Sequence, residues 1–160
     1  MKYAAILLVF LLLAALAGVG WLYAASTVSV EAVVCEAVEA SAQPLLFADI
    51  RLKMEEGALV GTAFADAAPG EAEDYQFCTY TLRLRNATAV NADMVEAQVT
   101  PMAGDVCQLG AARALALPGR SAGDISVTIL TSAQSHPVRE ITVTYYLWGI
   151  PFTLKTAYGR

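Results

Sequence analysis

Between Lys2 and Glu31 the chain carries no charged side chain, and from Tyr3 to Ala25 almost every residue is apolar. As an α-helix at 1.5 Å per residue, a run from Tyr3 to Ala25 is about 34 Å long, slightly more than the roughly 30 Å hydrocarbon core of a bilayer. The run therefore predicts a transmembrane helix with a domain beyond it. Lys2 precedes the run and Glu31, Glu36 and Glu39 follow it, so the positive-inside rule puts the N-terminus in the cytoplasm and the rest outside. Trp21 and Tyr23 then fall at the outer interface. The competing reading is a cleavable secretion signal, because Ala15, Leu16 and Ala17 satisfy the small-x-small rule. The apolar run continues past that point through Val19, Trp21, Leu22 and Tyr23, and a cut after Ala25 leaves a bulky Tyr23 three residues upstream. A retained single-pass anchor over residues 1–26 is the expectation, with secretion after cleavage as the alternative. Ala14 and Gly18 form one small-xxx-small pair, so a homo-oligomer through the helix is permitted but not required.

Residues 27–160 are enough for one extracytoplasmic domain with its own core. Beyond Ser29 there are 9 Lys plus Arg against 15 Asp plus Glu, a formal balance of 9 − 15 = −6. That surplus of carboxylates disfavours nucleic acid and anionic lipid headgroups, leaving the N-terminal helix as the membrane contact. The three cysteines, Cys35, Cys78 and Cys107, show no C-x-x-C pair and no zinc spacing. In an oxidising compartment the candidate disulfide is Cys78 with Cys107; the plainer reading is three buried thiols used as small apolar residues.

Period-two alternation dominates the domain, as expected for strands with one buried face. In "FADIRLKME" Ala48, Ile50, Leu52 and Met54 alternate with charged residues, which predicts a strand; "EEG" at Glu55 to Gly57 turns the chain and "ALVGTAF" returns as its hairpin partner. Cys78, Tyr80, Leu82 and Leu84 share one face of "YQFCTYTLRLRN", and Val95, Ala97 and Val99 share one face of "DMVEAQVTP". "DVCQL" reads as a short edge strand. Ile125, Val127 and Ile129 point inward from "DISVTIL", Ile141, Val143, Tyr145 and Leu147 from "REITVTYYLW", and Phe152 and Leu154 from "PFTLKTA", with a hairpin around Gly149. "TVSVEAVVCEAVEA" fits a helical face or a strand, and its β-branched residues favour a first strand. Eight or so strands and no helix beyond the first point to an all-β, two-sheet sandwich.

The strand ending "LRLRN" at Asn86, then "LPGRSAGDISVTI" leading into "VTYYLWG", resembles the immunoglobulin-like or fibronectin-like modules of bacterial cell-surface proteins, including the FxLYD type, over roughly Tyr75 to Tyr158. The resemblance implies an immunoglobulin-like sandwich of the cell envelope. It transfers no binding residue, because the cysteine and tryptophan framework of antibody domains is absent.

Chemistry-bearing patterns are sparse. His136 sits near Ser132, Ser135 and Glu140, the residue types of a hydrolase, without a nucleophile elbow or an oxyanion glycine run; a solvated turn histidine is the simpler reading. Asp66, Glu71, Glu73 and Asp74 match no EF-hand spacing. Asn86-Ala87-Thr88 fits a glycosylation sequon but also a turn between strands. No catalytic residue, metal ligand or cofactor is assigned. The one surface candidate is "YYLWGIPF", in which Tyr146 and Trp148 would present aromatic rings near a hairpin tip, with Phe152 counted beside them as a binding residue although the alternation places it inward. The expected function is a non-catalytic, membrane-anchored module that engages an envelope protein. The alternatives are a glycan or small-ligand module built on the Tyr146–Trp148 hairpin and, at low weight, a hydrolase around His136.

Overall fold

The computed structural model describes residues 2–25, 27–110 and 115–159. The elements in chain order are α1 (Lys2–Ala25), β1 (Val28–Glu39), α2 (Pro44–Glu55), β2 (Gly61–Ala63), β3 (Tyr75–Asn86), β4 (Ala92–Val99), β5 (Asp105–Leu109), β6 (Leu115–Leu117), β7 (Ala122–Ser132), β8 (Arg139–Leu147) and β9 (Ile150–Tyr158). They build two antiparallel sheets, β1-β3-β7-β5-β2 and β6-β4-β8-β9. The sheets face each other as a sandwich. Tyr80, Leu82, Leu84 and Ile129 from the first meet Val95, Val99, Ile141, Val143 and Leu147 from the second, all fully buried. The alternation in β3, β7 and β8 thus sets the inward faces that the sequence predicts.

The two ends of the sandwich differ, and the register identifies them. Val28 pairs with Asn86 and Arg85 with Ala122 in the first sheet, while Ala92 pairs with Leu117 and Leu147 with Ile150 in the second. Two bonds tie these edges together: Asn86 Nδ2 donates to the Leu117 carbonyl at 3.0 Å, and the Val28 N–H donates to the Tyr145 hydroxyl at 3.4 Å. α1 joins the domain here, so this is the α1 end; Glu39, Tyr75, Asp105, Ser132 and Arg139 mark the far end.

The segment expected as the strand "FADIRLKME" is helical instead. Pro44 starts α2 in its first turn, where a missing N–H costs nothing. Phe47 and Ile50 are buried and Met54 half-buried, an i, i+3, i+7 stripe, while the expected inward residues Ala48 and Leu52 are exposed. The alternating charges are helical partners: Lys53 Nζ lies 2.7 Å from Asp49 and Arg51 Nε 3.7 Å from Glu55, each four residues apart. α2 covers the outer face of the five-stranded sheet, against Phe77, Val106, Cys107 and Leu130, adding a third layer. The "ALVGTAF" segment accordingly has no strand at 47–55 to return to, and its β2 pairs with β5. β5 is therefore not an edge strand; it lies between β7 and β2. The segment 28–39 is a strand, paired with β3 over nearly its whole length.

α1 is apolar on every side, and each of its described side chains, Tyr3 and residues 6–21, is exposed. Those sixteen consecutive residues, 6 to 21, span about 24 Å. Among the residues so described, no helix is long and apolar enough to cross a membrane. The side chain of Tyr23, expected at an interface, lies outside the described residues.

Candidate functional site

β8 and β9 are joined by a two-residue turn, Trp148–Gly149, between the paired Leu147 and Ile150. Both turn residues have positive φ, 53° and 77°, as a type I′ hairpin turn requires. Glycine reaches that conformation freely, but a bulky L-residue does not. The strained tryptophan is 53% exposed, so packing against the domain does not explain it. The register separates the three expected aromatics. Tyr146 pairs with Pro151 on the outer face, whereas Phe152 pairs with Tyr145 on the inner face and stacks on it at 5.7 Å and 12°. Phe152 therefore belongs to the core margin, and the candidate binding residues reduce to Trp148 and the half-buried Tyr146.

At the far end the sandwich is closed by a buried ion pair that the sequence reading missed. Arg139 Nη2 lies 2.6 Å from Asp105 Oδ1 and Nε 3.1 Å from Oδ2, with the side chains 1% and 0% exposed. The pair links β8 to β5 and hence one sheet to the other. Arg139 also donates to Ser135 Oγ at 2.8 Å, to the Val138 carbonyl at 2.7 Å and to the His136 carbonyl. Asp105 Oδ2 accepts the Met102 N–H at 2.8 Å. A signal was available: Arg139 occupies an inward position in the series 139, 141, 143, 145, 147, where an arginine needs a buried anion.

These contacts account for three of the four residues of the hydrolase reading, and the fourth, Ser132, accepts the Gln134 N–H through its Oγ at 3.4 Å. Ser135 serves Arg139, Glu140 pairs with Lys155 at 2.9 Å, and His136 contributes its backbone carbonyl while its side chain stays exposed. The three assemble no nucleophile, base and carboxylate constellation. Among the described residues no group of three or more His, Cys, Asp or Glu is placed to hold a metal. Asn86 is a buried turn residue: its Oδ1 accepts from the Thr88 N–H and hydroxyl, and its Nδ2 donates to the Val90 and Leu117 carbonyls. No amide hydrogen is left for a glycan. The expected turn is the one observed.

The candidate Cys78–Cys107 disulfide is absent, and both thiols are free. Cys78 faces the core between the sheets and Cys107 faces α2, on opposite sides of the same sheet. Their vectors point apart, which rules out a bridge without rebuilding the sheet. Burial pushes each thiol up to about 11, and burial likewise raises the half-buried Cys35. All three are therefore protonated and weakly reactive near neutrality.

The remaining feature with binding geometry is the seam beside β1. β1 is an edge strand of twelve residues, unpaired along one side, with Val34 56% and Val38 39% exposed. A cleft of about 380 Å³ runs between it and β9, lined by residues 30–33 and 156–159. Long, unprotected edges are the template on which another chain adds a strand. No protein-family model, curated protein or solved structure matches this chain.

Proposed function

We propose that this protein is a non-catalytic interaction module of the bacterial cell envelope, held at a bilayer by α1, with an immunoglobulin-like sandwich displayed on the extracytoplasmic side. The observation that carries the reading is the twelve-residue open edge of β1 following directly on an apolar helix. A helix apolar all round needs surroundings other than water, and the complete α1, with 24 residues, is about 36 Å long. Lys2 before it, with no Lys or Arg after it until Arg51, supports an N-terminus on the cytoplasmic side. Every described buried side-chain nitrogen and oxygen has a hydrogen-bond partner. β1 takes up a strand from an envelope protein, with backbone hydrogen bonds for affinity and Val34 and Val38 for side-chain selection.

The glycan-binding alternative rested on the Tyr146–Trp148 hairpin, of which Trp148 is exposed and Tyr146 half-buried, while Phe152 stacks on Tyr145. The test is a photo-crosslinking residue at Val34 in the full chain, expressed in its native membranes, with the same residue at exposed Lys155 as control. A discrete crosslinked envelope protein at Val34, lost on introducing proline at Glu36, two residues further along the same strand, is the expected result. Equal crosslinking at both positions would overturn the edge as the binding surface, and full protease sensitivity of the sandwich in sealed inside-out vesicles would overturn its side.

A further inference from the structure

The chain has three described residues other than glycine with left-handed backbone, Met94 (φ 49°), Arg120 (φ 55°) and Trp148 (φ 53°). All three are exposed and all three lie at the α1 end: Met94 two residues into β4, Arg120 in the turn before β7, and Trp148 at the β8–β9 tip. Each conformation is disfavoured for an L-residue; Met94 takes it at the register shift between Ala92 and Val95 and Arg120 and Trp148 take it in turns, and all three side chains are left exposed. From this clustering we infer that the α1 end of the sandwich is a bilayer-docking face, on which Trp148 and Met94 enter the lipid headgroup region and Arg120 meets lipid phosphate.

The inference rests on the reading that α1 lies in lipid, and it adds where the domain sits. Ala25 and Val28 are three Cα steps apart, at most about 11 Å, so an inserted α1 leaves this end no room to stand off the surface. Charge agrees with contact. The turns at this end, residues 86–91, 118–121 and 148–149, contain one charged residue, Arg120. Exposed Asp93 lies on β4 next to Met94 and opposite Tyr146, so it is the one carboxylate beside the three residues, and Glu31 is engaged by Arg85 at 3.3 Å. Glu39, Glu71, Glu73 and Asp74 gather at the far end, so the overall acidity of the chain does not oppose this approach.

The face is also rigid before contact. The Arg120 N–H donates to the Thr88 carbonyl at 2.8 Å and the Asn86 N–H to the Ser121 carbonyl at 2.9 Å. Gly119 lies so close to Ala89 that a Cβ there would come within 2.6 Å of its backbone. Tryptophan is the side chain most favoured at a membrane interface, and arginine bonds phosphate through several donors at once. A lipid surface thus meets what each of the three residues offers and lies where an inserted α1 would hold it.

The two tryptophans of the chain, Trp21 in α1 and Trp148 at the tip, permit a test with full-length protein in phosphatidylcholine vesicles. The W21F variant reports on Trp148 alone and W148F on Trp21 alone; nitroxides are placed on the headgroup or deep in the acyl chain. The docking face predicts at least twofold quenching of Trp148 by the headgroup nitroxide and little by the deep one. Trp21 quenched with Trp148 unquenched would overturn the docking face while leaving the anchor intact. Neither quenched would overturn both, and Trp148 quenched without Trp21 would support the face and remove the anchor.

Discussion

Replacing Arg139 with methionine keeps most of the side chain's length and removes its charge, so it isolates the ion pair that joins the two sheets. The Asp105 carboxylate would then retain the Met102 N–H at 2.8 Å in a place that solvent does not reach. Stranding one partner of a buried pair costs about 3–5 kcal/mol. The carbonyls of His136 and Val138 also lose a donor, but both residues are exposed and their groups can turn to water, so the total should stay near that range. For a domain of roughly 130 residues, 1 kcal/mol moves Tm by about 3–5 °C, which places R139M some 10–20 °C below the parent. Asp105→Asn should cost a similar amount. Because both changes remove the same interaction, the double variant should fall short of their sum by about 2 kcal/mol or more. Urea unfolding of the full chain in detergent, followed by near-UV circular dichroism, measures all four proteins. A loss below about 1 kcal/mol for R139M, or strict additivity, would refute the argument that this pair holds the sheets together.

Asn86→Ala removes four hydrogen bonds at a buried turn and should destabilise the domain by about 2–4 kcal/mol, measured by the same unfolding experiment; a loss under about 1 kcal/mol would contradict the role given to the turn. Trp148→Asn places a residue suited to the type I′ turn at φ 53° and should raise stability by about 1 kcal/mol in detergent, measured by calorimetry; a loss of stability would contradict the strain assigned to Trp148. Burial raises the folded thiols of Cys78 and Cys107 to about 11, above the ordinary thiol range, so the unfolded chain loses these protons first as pH rises. Their contribution to stability is complete below about pH 9 and is lost as pH climbs toward 11. The unfolding free energy of C78A/C107A should decline less steeply than that of the parent over that window; parallel curves would count against the assignment.

How far the sequence disclosed the fold follows from which faces are covered. β3, β7 and β8 alternate cleanly at Tyr80, Leu82 and Leu84, at Ile125, Val127 and Ile129, and at Ile141, Val143 and Tyr145, because one face of each meets the opposite sheet. The pattern breaks at Phe77 beside Cys78 and at Leu130 beside Ile129, where α2 buries the outer face as well. α2 itself was hidden by its charges: Asp49, Arg51, Lys53 and Glu55 alternate like a strand, yet Asp49 and Lys53 are partners across one helical turn. Pro44 and the wealth of helix formers were the stronger signal. The hairpin carried its own correction, since a two-residue Trp148–Gly149 turn pairs Tyr145 with Phe152 and so sends Phe152 inward. The Asp105–Arg139 contact joins residues 34 apart through the tertiary fold, so only the arginine at an inward strand position hinted at it.

The register of β1 gives the junction with α1 a mechanical meaning. Eleven positions from Val28 to Glu39 are matched antiparallel to β3, and α1 is attached at the Val28 end. If α1 is held in a bilayer, as proposed, and a partner at the far end draws the sandwich away from it, tension enters β1 along its own axis. The strand is then loaded in shear against β3, so its hydrogen bonds resist together instead of parting one at a time. A link of barely two residues would pass that load from the envelope to the membrane with little stretch, making the first strand a tether as well as an edge.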